Sequence, residues 1–121
     1  MPTDEIEKNI EQQAAIFSAL GDPTRLRLVK LLCYQSAPGA LCVNALATLL
    51  NVTQSAVSQH LRVLKGIGLV KGKRRGYYVH YRINHEVIDR CRQLVLAALM
   101  VQKSETGEQP SNVHCPVRDE K

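Results

Sequence analysis

The sequence predicts a mainly α domain carrying one small β-hairpin, with elements in the order α-α-α-α-β-β-α. Three observations carry that reading. Apolar residues recur at helical spacing over most of the chain. Two short apolar-striped segments are joined by only Asn51-Val52-Thr53. Directly after them the pattern switches to β-prone residues around a glycine-rich, basic turn. At 121 residues the chain has the size of one domain, and the absence of Trp, with only 4% aromatic residues, suits a helical core.

From Glu5, the residues Ile6, Ile10, Ala14, Phe17 and Leu20 step by three or four, which predicts an amphipathic helix ending at Gly21. Asp22 suits an N-cap and Pro23 a first helical position, where its missing N–H costs nothing. The helix they open has Leu26, Val29, Leu32 and Cys33 as its inner stripe, with Arg25, Arg27 and Lys30 outside. Ser36 to Ala40 is a loop by composition. Leu41 to Leu50 carries Val43, Leu46, Leu49 and Leu50 at helical spacing.

Thr53 then caps a helix that starts at Gln54, in which Val57, Leu61 and Leu64 face inward and Gly66 and Gly68 end the run. Two short helices so tightly joined form a helix-turn-helix, with the second in the recognition position. Leu69-Val70-Lys71 and Tyr77 to Ile83 follow as strands. In the second, Tyr77, Val79 and Tyr81 alternate with Tyr78, His80 and Arg82. Gly72 to Gly76 lies between them as a basic tip, which makes the whole a winged helix-turn-helix.

Asn84 caps a last helix expected to reach about Val101 or Gln102. Its second half, LVLAALMV, is apolar nearly all round and therefore needs cover on more than one side. A homodimer built on the first and last helices supplies that cover. Residues 1–102 form the domain, and the polar residues 103–121 are expected to be a disordered tail.

Formal charge is +5, and its location matters more than its size. Gln54 to Arg82 holds seven bases, Arg62, Lys65, Lys71, Lys73, Arg74, Arg75 and Arg82, and no acid, while the remainder holds nine bases and eleven acids. A segregated basic surface points to a polyanion, with double-stranded DNA the natural one. The outward face of the recognition segment, Gln54, Ser55, Ser58, Gln59 and Arg62, is rich in amides and hydroxyls that both donate and accept, as reading base edges requires. Lys73, Arg74 and Arg75 suit phosphate contacts. The bland alternatives are a solvated helix face and a charged tip that protects an edge strand. A protein-interaction module on the same scaffold is a further alternative. An enzyme is not expected, because Ser, His and Asp fall into no nucleophile motif.

The N-terminus lacks a basic segment followed by an apolar one, and the run Leu94 to Val101 is too short to span a bilayer, so a cytoplasmic protein with no membrane contact is expected. Cys33, Cys42, Cys91 and Cys115 are then expected as thiols.

Taken in order, ALGDPTRLRLVKLL, LCVNALATLLNVTQSAVSQHLRVLKGIGLV and KGKRRGYYVHYRI resemble the ArsR/SmtB group of metal-responsive repressors, over about Ile16 to Leu99. The resemblance implies a dimer that occupies an operator and leaves it when an inducer binds. It puts Gln54, Ser55, Ser58, Gln59 and His60 near DNA, with Arg74 and Arg75 on the wing. His60 also stands beside Leu61 and three residues after Val57, so a partly inward ring is the alternative to DNA contact at this position.

Many members of the group carry Leu-Cys-Val-Cys-Asp where this chain has Leu41-Cys42-Val43-Asn44-Ala45, so one thiol remains, too few for a soft-metal site. At the positions of the group's other site, on the last helix, stand His85, Val87, Ala98 and Val101, of which only His85 can coordinate. No cofactor is required. Three readings of the thiols stay open: a thiophilic metal or metalloid site from Cys33, Cys42 and Cys115, an oxidant- or persulfide-sensing pair, and plain core packing for Cys33 and Cys91.

Overall fold

A computed structural model describes residues 3–34 and 41–100. Eight elements follow one another: α1 (Thr3–Leu20), α2 (Pro23–Tyr34), β1 (Leu41–Cys42), α3 (Val43–Leu50), α4 (Gln54–Gly66), β2 (Val70–Arg75), β3 (Tyr78–Ile83) and α5 (His85–Leu99). The expected mainly α domain with a β-hairpin is present, with one strand more than the sequence suggested. Residues 1–2, 35–40 and 101–121 lie outside the described residues, and with them the SAPGA loop and the expected tail.

Leu28, Leu46, Val57, Leu61, Leu64 and Leu69 are the most deeply buried side chains, so α2, α3 and α4 meet around one core. Val70 and Ile83, paired across the hairpin, close it from the sheet side. The turn between α3 and α4 rests on Asn51, which adopts the left-handed conformation at φ 56° and φ/ψ values that short polar side chains tolerate. Its N–H and that of Val52 return to Thr48 and Ala47 carbonyls, at 3.3 and 3.1 Å, satisfying the end of α3. Gly68, at φ +78°, ends α4 in the same way, with its N–H on Lys65 O at 2.8 Å and the Leu69 N–H on Leu64 O at 3.0 Å.

The sheet has the order β1-β3-β2 and is antiparallel throughout. Leu41 and Cys42, expected to open a helix, instead pair with Tyr81 and His80, and α3 starts only at Val43. A two-residue strand has no period of its own, and its partner lies far along the chain, so nothing local announces it. The hairpin is also tighter than expected. Strand β2 runs through Arg75, which faces Tyr78, and the loop is just Gly76-Tyr77. Gly76, at φ +64°, supplies the positive φ that turns matched to strand twist need at their first loop position. Lys73, Arg74 and Arg75 are therefore strand residues, and the tip itself is Tyr77, 97% exposed.

Several inner stripes are rotated from expectation. In α2 the buried residues are Leu28, Val29 and Leu32, while Leu26 and Cys33 are exposed. In α3 they are Leu46 and Ala47, and Leu49 is exposed. In α1 Ile16 and Ala19 enter the core, whereas Ile6, Ile10 and Phe17 stay 42–49% exposed. Helix α5 packs along α1, tied by Gln13 Nε2 donating to Leu94 O at 3.2 Å. It buries Cys91 and leaves Leu96, Leu99 and Met100 exposed. Asn84 stands at its N-cap position without a side-chain hydrogen bond, and the helix ends at Leu99, short of the expected Val101.

Candidate nucleic-acid interface

Helix α4 is positioned by its own sequence. Thr53 Oγ1 accepts the Ala56 N–H at 3.0 Å, fixing the start. Val57, Leu61 and Leu64 are buried to within 1% exposure, fixing the roll of the helix on the core. Gln54, Ser55, Ser58, Gln59 and Arg62 are left on the open side, all exposed, as their spacing predicts.

The wing follows α4 and touches it. Lys71, Lys73, Arg74, Arg75 and Arg82 are exposed on the paired strands β2 and β3. Lys71 lies directly across from Arg82. Like charges in that relation weaken a sheet, and neutralisation by a polyanion removes the penalty. Helix and wing are joined through Lys65, whose Nζ sits 5.9 Å from the centroid of the Tyr81 ring.

His60 is placed differently from the other expected DNA residues. It is half-buried, with Nδ1 3.3 Å from Arg25 Nη1 and Nε2 3.9 Å from Asp22 Oδ1, so its ring turns toward the start of α2. The sequence counted Arg25 as simply exposed. It is half-buried and also donates to the Ala19 and Ser18 carbonyls, at 2.5 and 3.3 Å. The available signal was its position three residues after the capping Asp22, which brings a side chain back over the end of the preceding helix.

The thiols are dispersed. Cys33 is exposed at the end of α2, Cys42 is half-buried at the N-cap of α3, Cys91 is buried in α5, and Cys115 lies outside the described residues. Desolvation pushes the Cys33 and Cys91 thiols above their ordinary value, with Arg92 and Arg90 pulling back. Across the sheet from Cys42 stands His80, whose Nδ1 is shut off from solvent and has no hydrogen-bond partner among the described residues. Among the described residues no three His, Cys, Asp or Glu side chains converge to hold a metal ion. Cys42 and His80 together fall short of the set a thiophilic ion takes. On α5, His85 and Ala98 are exposed and Val87 is half-buried. Among the described residues, no helix is long and apolar enough to cross a membrane.

Residues 22–71, from the α2 cap through the recognition helix to the first wing strand, match the model of the bacterial regulatory protein, arsR family. The chain is 47% identical over 77 residues to a transcriptional repressor SmtB homolog of Synechocystis, covering 62% of this chain and 55% of that one. It is 33% identical over 97 residues to a cadmium resistance transcriptional regulatory protein, a CadC homolog of Staphylococcus aureus, covering 80% and 75%. The chain thus spans about half the SmtB homolog and three quarters of the CadC homolog. Among solved structures it is similar to a homodimeric winged helix-turn-helix DNA-binding domain of Mycobacterium bovis, with a TM-score of 0.62, 29% identity, and coverage of 81% of this chain and 88% of that one. These relatives are regulators by description, not enzymes. With the family match on its helix-turn-helix and a relative covered over three quarters of its length at 33% identity, the chain belongs to the bacterial regulatory protein, arsR family.

Proposed function

We propose that this protein is a sequence-specific, dimeric transcriptional repressor that reads operator DNA with α4 and grips its phosphates with the wing. The observation that carries the reading is the exposed, acid-free face of Gln54, Ser55, Ser58, Gln59 and Arg62 on α4, followed by a hairpin that carries the exposed bases Lys73, Arg74 and Arg75. Amides and hydroxyls can pair with base edges, and the bases fix register on the backbone. The dimer forms through α1 and α5, whose exposed Ile6, Ile10, Phe17, Leu96 and Leu99 need cover. A two-fold pair of recognition helices suits a palindromic site.

Fluorescence anisotropy on the duplex upstream of the protein's own coding region tests this. Affinity well above that for a scrambled duplex of equal length is expected, and equal affinity refutes sequence-specific reading.

Release from the operator belongs to the same proposal: a thiophilic metal, metalloid or thiol oxidant acts through Cys42, Cys33 and Cys115. Support comes from the cadmium resistance relative and from the two described thiols, Cys33 and Cys42, which flank residues 35–40. The reduced protein is titrated with arsenite, zinc, cadmium and persulfide while bound to DNA, and the titration is repeated with each Cys→Ser variant. A response unchanged in all the variants refutes thiol sensing.

A further inference from the structure

We propose that Asp22, Arg25 and His60 act together as positioning residues for the recognition helix, so that His60 orients the base-reading face without itself contacting a base. The proposal rests on the DNA-reading role given to α4 above.

Arg25 occupies the junction of three helices. Its Nε and Nη2 donate to the carbonyls of Ala19 and Ser18 in the last turn of α1, the second of which also accepts the Gly21 N–H at 3.4 Å. Its backbone N–H donates to Asp22 Oδ1 at 3.2 Å, alongside that of Thr24 at 2.8 Å, so the same residue belongs to the cap of α2. The remaining arm, Nη1, reaches His60 Nδ1 on α4 at 3.3 Å.

A guanidinium has donors only, so His60 Nδ1 must present its lone pair and the ring proton belongs on Nε2. Nε2 faces Asp22 Oδ1 at 3.9 Å, too long for a hydrogen bond but close enough for attraction. Arg25 and Asp22 are the charged groups facing the ring. Every other inward anchor of α4, namely Val57, Leu61 and Leu64, is apolar. Apolar contact is non-directional and tolerates a small roll of the helix, whereas a hydrogen bond to a fixed guanidinium does not. His60 immediately follows Gln59 and is two residues from Ser58, so a roll there re-aims both side chains. Protonating Nδ1 turns the acceptor into a donor against Arg25 and breaks the tether.

Two variants separate positioning from base contact. His60→Asn keeps an acceptor near the Nδ1 position and does not titrate, whereas His60→Leu keeps bulk and removes the acceptor. In His60→Leu, operator affinity is expected to fall about tenfold, the value of a lost hydrogen bond to a charged group. Affinity for scrambled DNA and its salt slope should stay at parental values, because the wing bases are untouched. His60→Asn should recover operator affinity to within about twofold, because it restores the acceptor for Arg25. Equal losses in both variants, or a loss confined to one base pair of the operator, would make His60 a base contact and overturn the proposal. Parental affinity in His60→Leu also overturns it. Nitrogen NMR of the His60 ring in the free protein at pH 7.5 checks the tether without DNA: an unprotonated Nδ1 is expected, and a protonated one refutes it. If the parent fails to distinguish operator from scrambled duplex, the operator reading falls, while the ring spectrum still reports on the tether.

Discussion

Lys65 on the recognition helix lies over the ring of Tyr81 on the central strand, with Nζ 5.9 Å from the centroid. This contact links α4 to the hairpin. Lys65→Met should lower stability by about 0.5–1 kcal/mol, the range for a partly exposed cation–π pair. A double-mutant cycle with Tyr81→Leu in urea checks it, and additive losses would show that the ring adds nothing to the lysine.

Lys71 and Arg82 oppose each other across the hairpin. Replacing Lys71 with Glu converts repulsion into attraction and should stabilise the free protein by about 0.2–1 kcal/mol. The same change should weaken DNA binding at low salt. Unfolding and anisotropy measured on one preparation should therefore move in opposite directions. Arg74→Ala should reduce the salt slope by about one and spare discrimination, whereas Gln59→Ala should cost about 1–3 kcal/mol of discrimination and spare the slope.

Gly72 is an exposed residue of β2, paired with Tyr81 on β3. A Cβ there would lie 2.9 Å from both Tyr81 Cε1 and Val79 Cγ1. Gly72→Val should cost about 1–3 kcal/mol through overpacking. Because the displaced ring is the one beneath Lys65, the Lys65→Met effect should shrink in the Gly72→Val background.

Backbone N–H groups hold the Asp22 carboxyl below its ordinary value of 3.8, the Arg25 N–H foremost and Thr24 after it, with His60 and Arg25 charges adding to them against desolvation. A depressed folded value means the contribution is present above that ordinary value and is lost as pH falls through the folded one. Melting temperatures of the parent and Asp22→Ala should therefore differ at pH 6 and converge as the pH falls through the depressed folded value. A constant gap across that range would assign the effect to something other than the carboxylate.

Ile10 and Leu96 are exposed on α1 and α5. Charging both, as Ile10→Glu with Leu96→Glu, should yield a helical monomer by sedimentation velocity and circular dichroism. A persistent dimer would move the interface elsewhere.

The recognition helix was legible in full, since its cap Thr53 and its anchors Val57, Leu61 and Leu64 are set by spacing within thirteen residues. The strand β1 was not, because Leu41 and Cys42 become a strand only when Tyr81 and His80 arrive. For α1 the sequence showed a stripe but not its partner: Ile6, Ile10 and Phe17 follow the period yet stay out of this chain's core. Arg25 and His60 were each visible alone. Their meeting depends on where two helices cross, which no local pattern encodes.

The two-residue loop at Gly76-Tyr77 gives the wing an unforgiving grammar. Each base on β2 has a fixed partner on β3, Lys71 with Arg82, Lys73 with His80, Arg74 with Val79 and Arg75 with Tyr78, and side chains alternate between the faces of a strand. Losing one residue between Lys71 and Arg75 would swap the faces of those on the far side of the gap, so that Arg74, which shares a face with Val70 and Gly72, would trade sides with its charged neighbours. Residues added between Gly76 and Tyr77 would leave every pair in register. Variation in length is therefore tolerated at the tip and forbidden one step behind it.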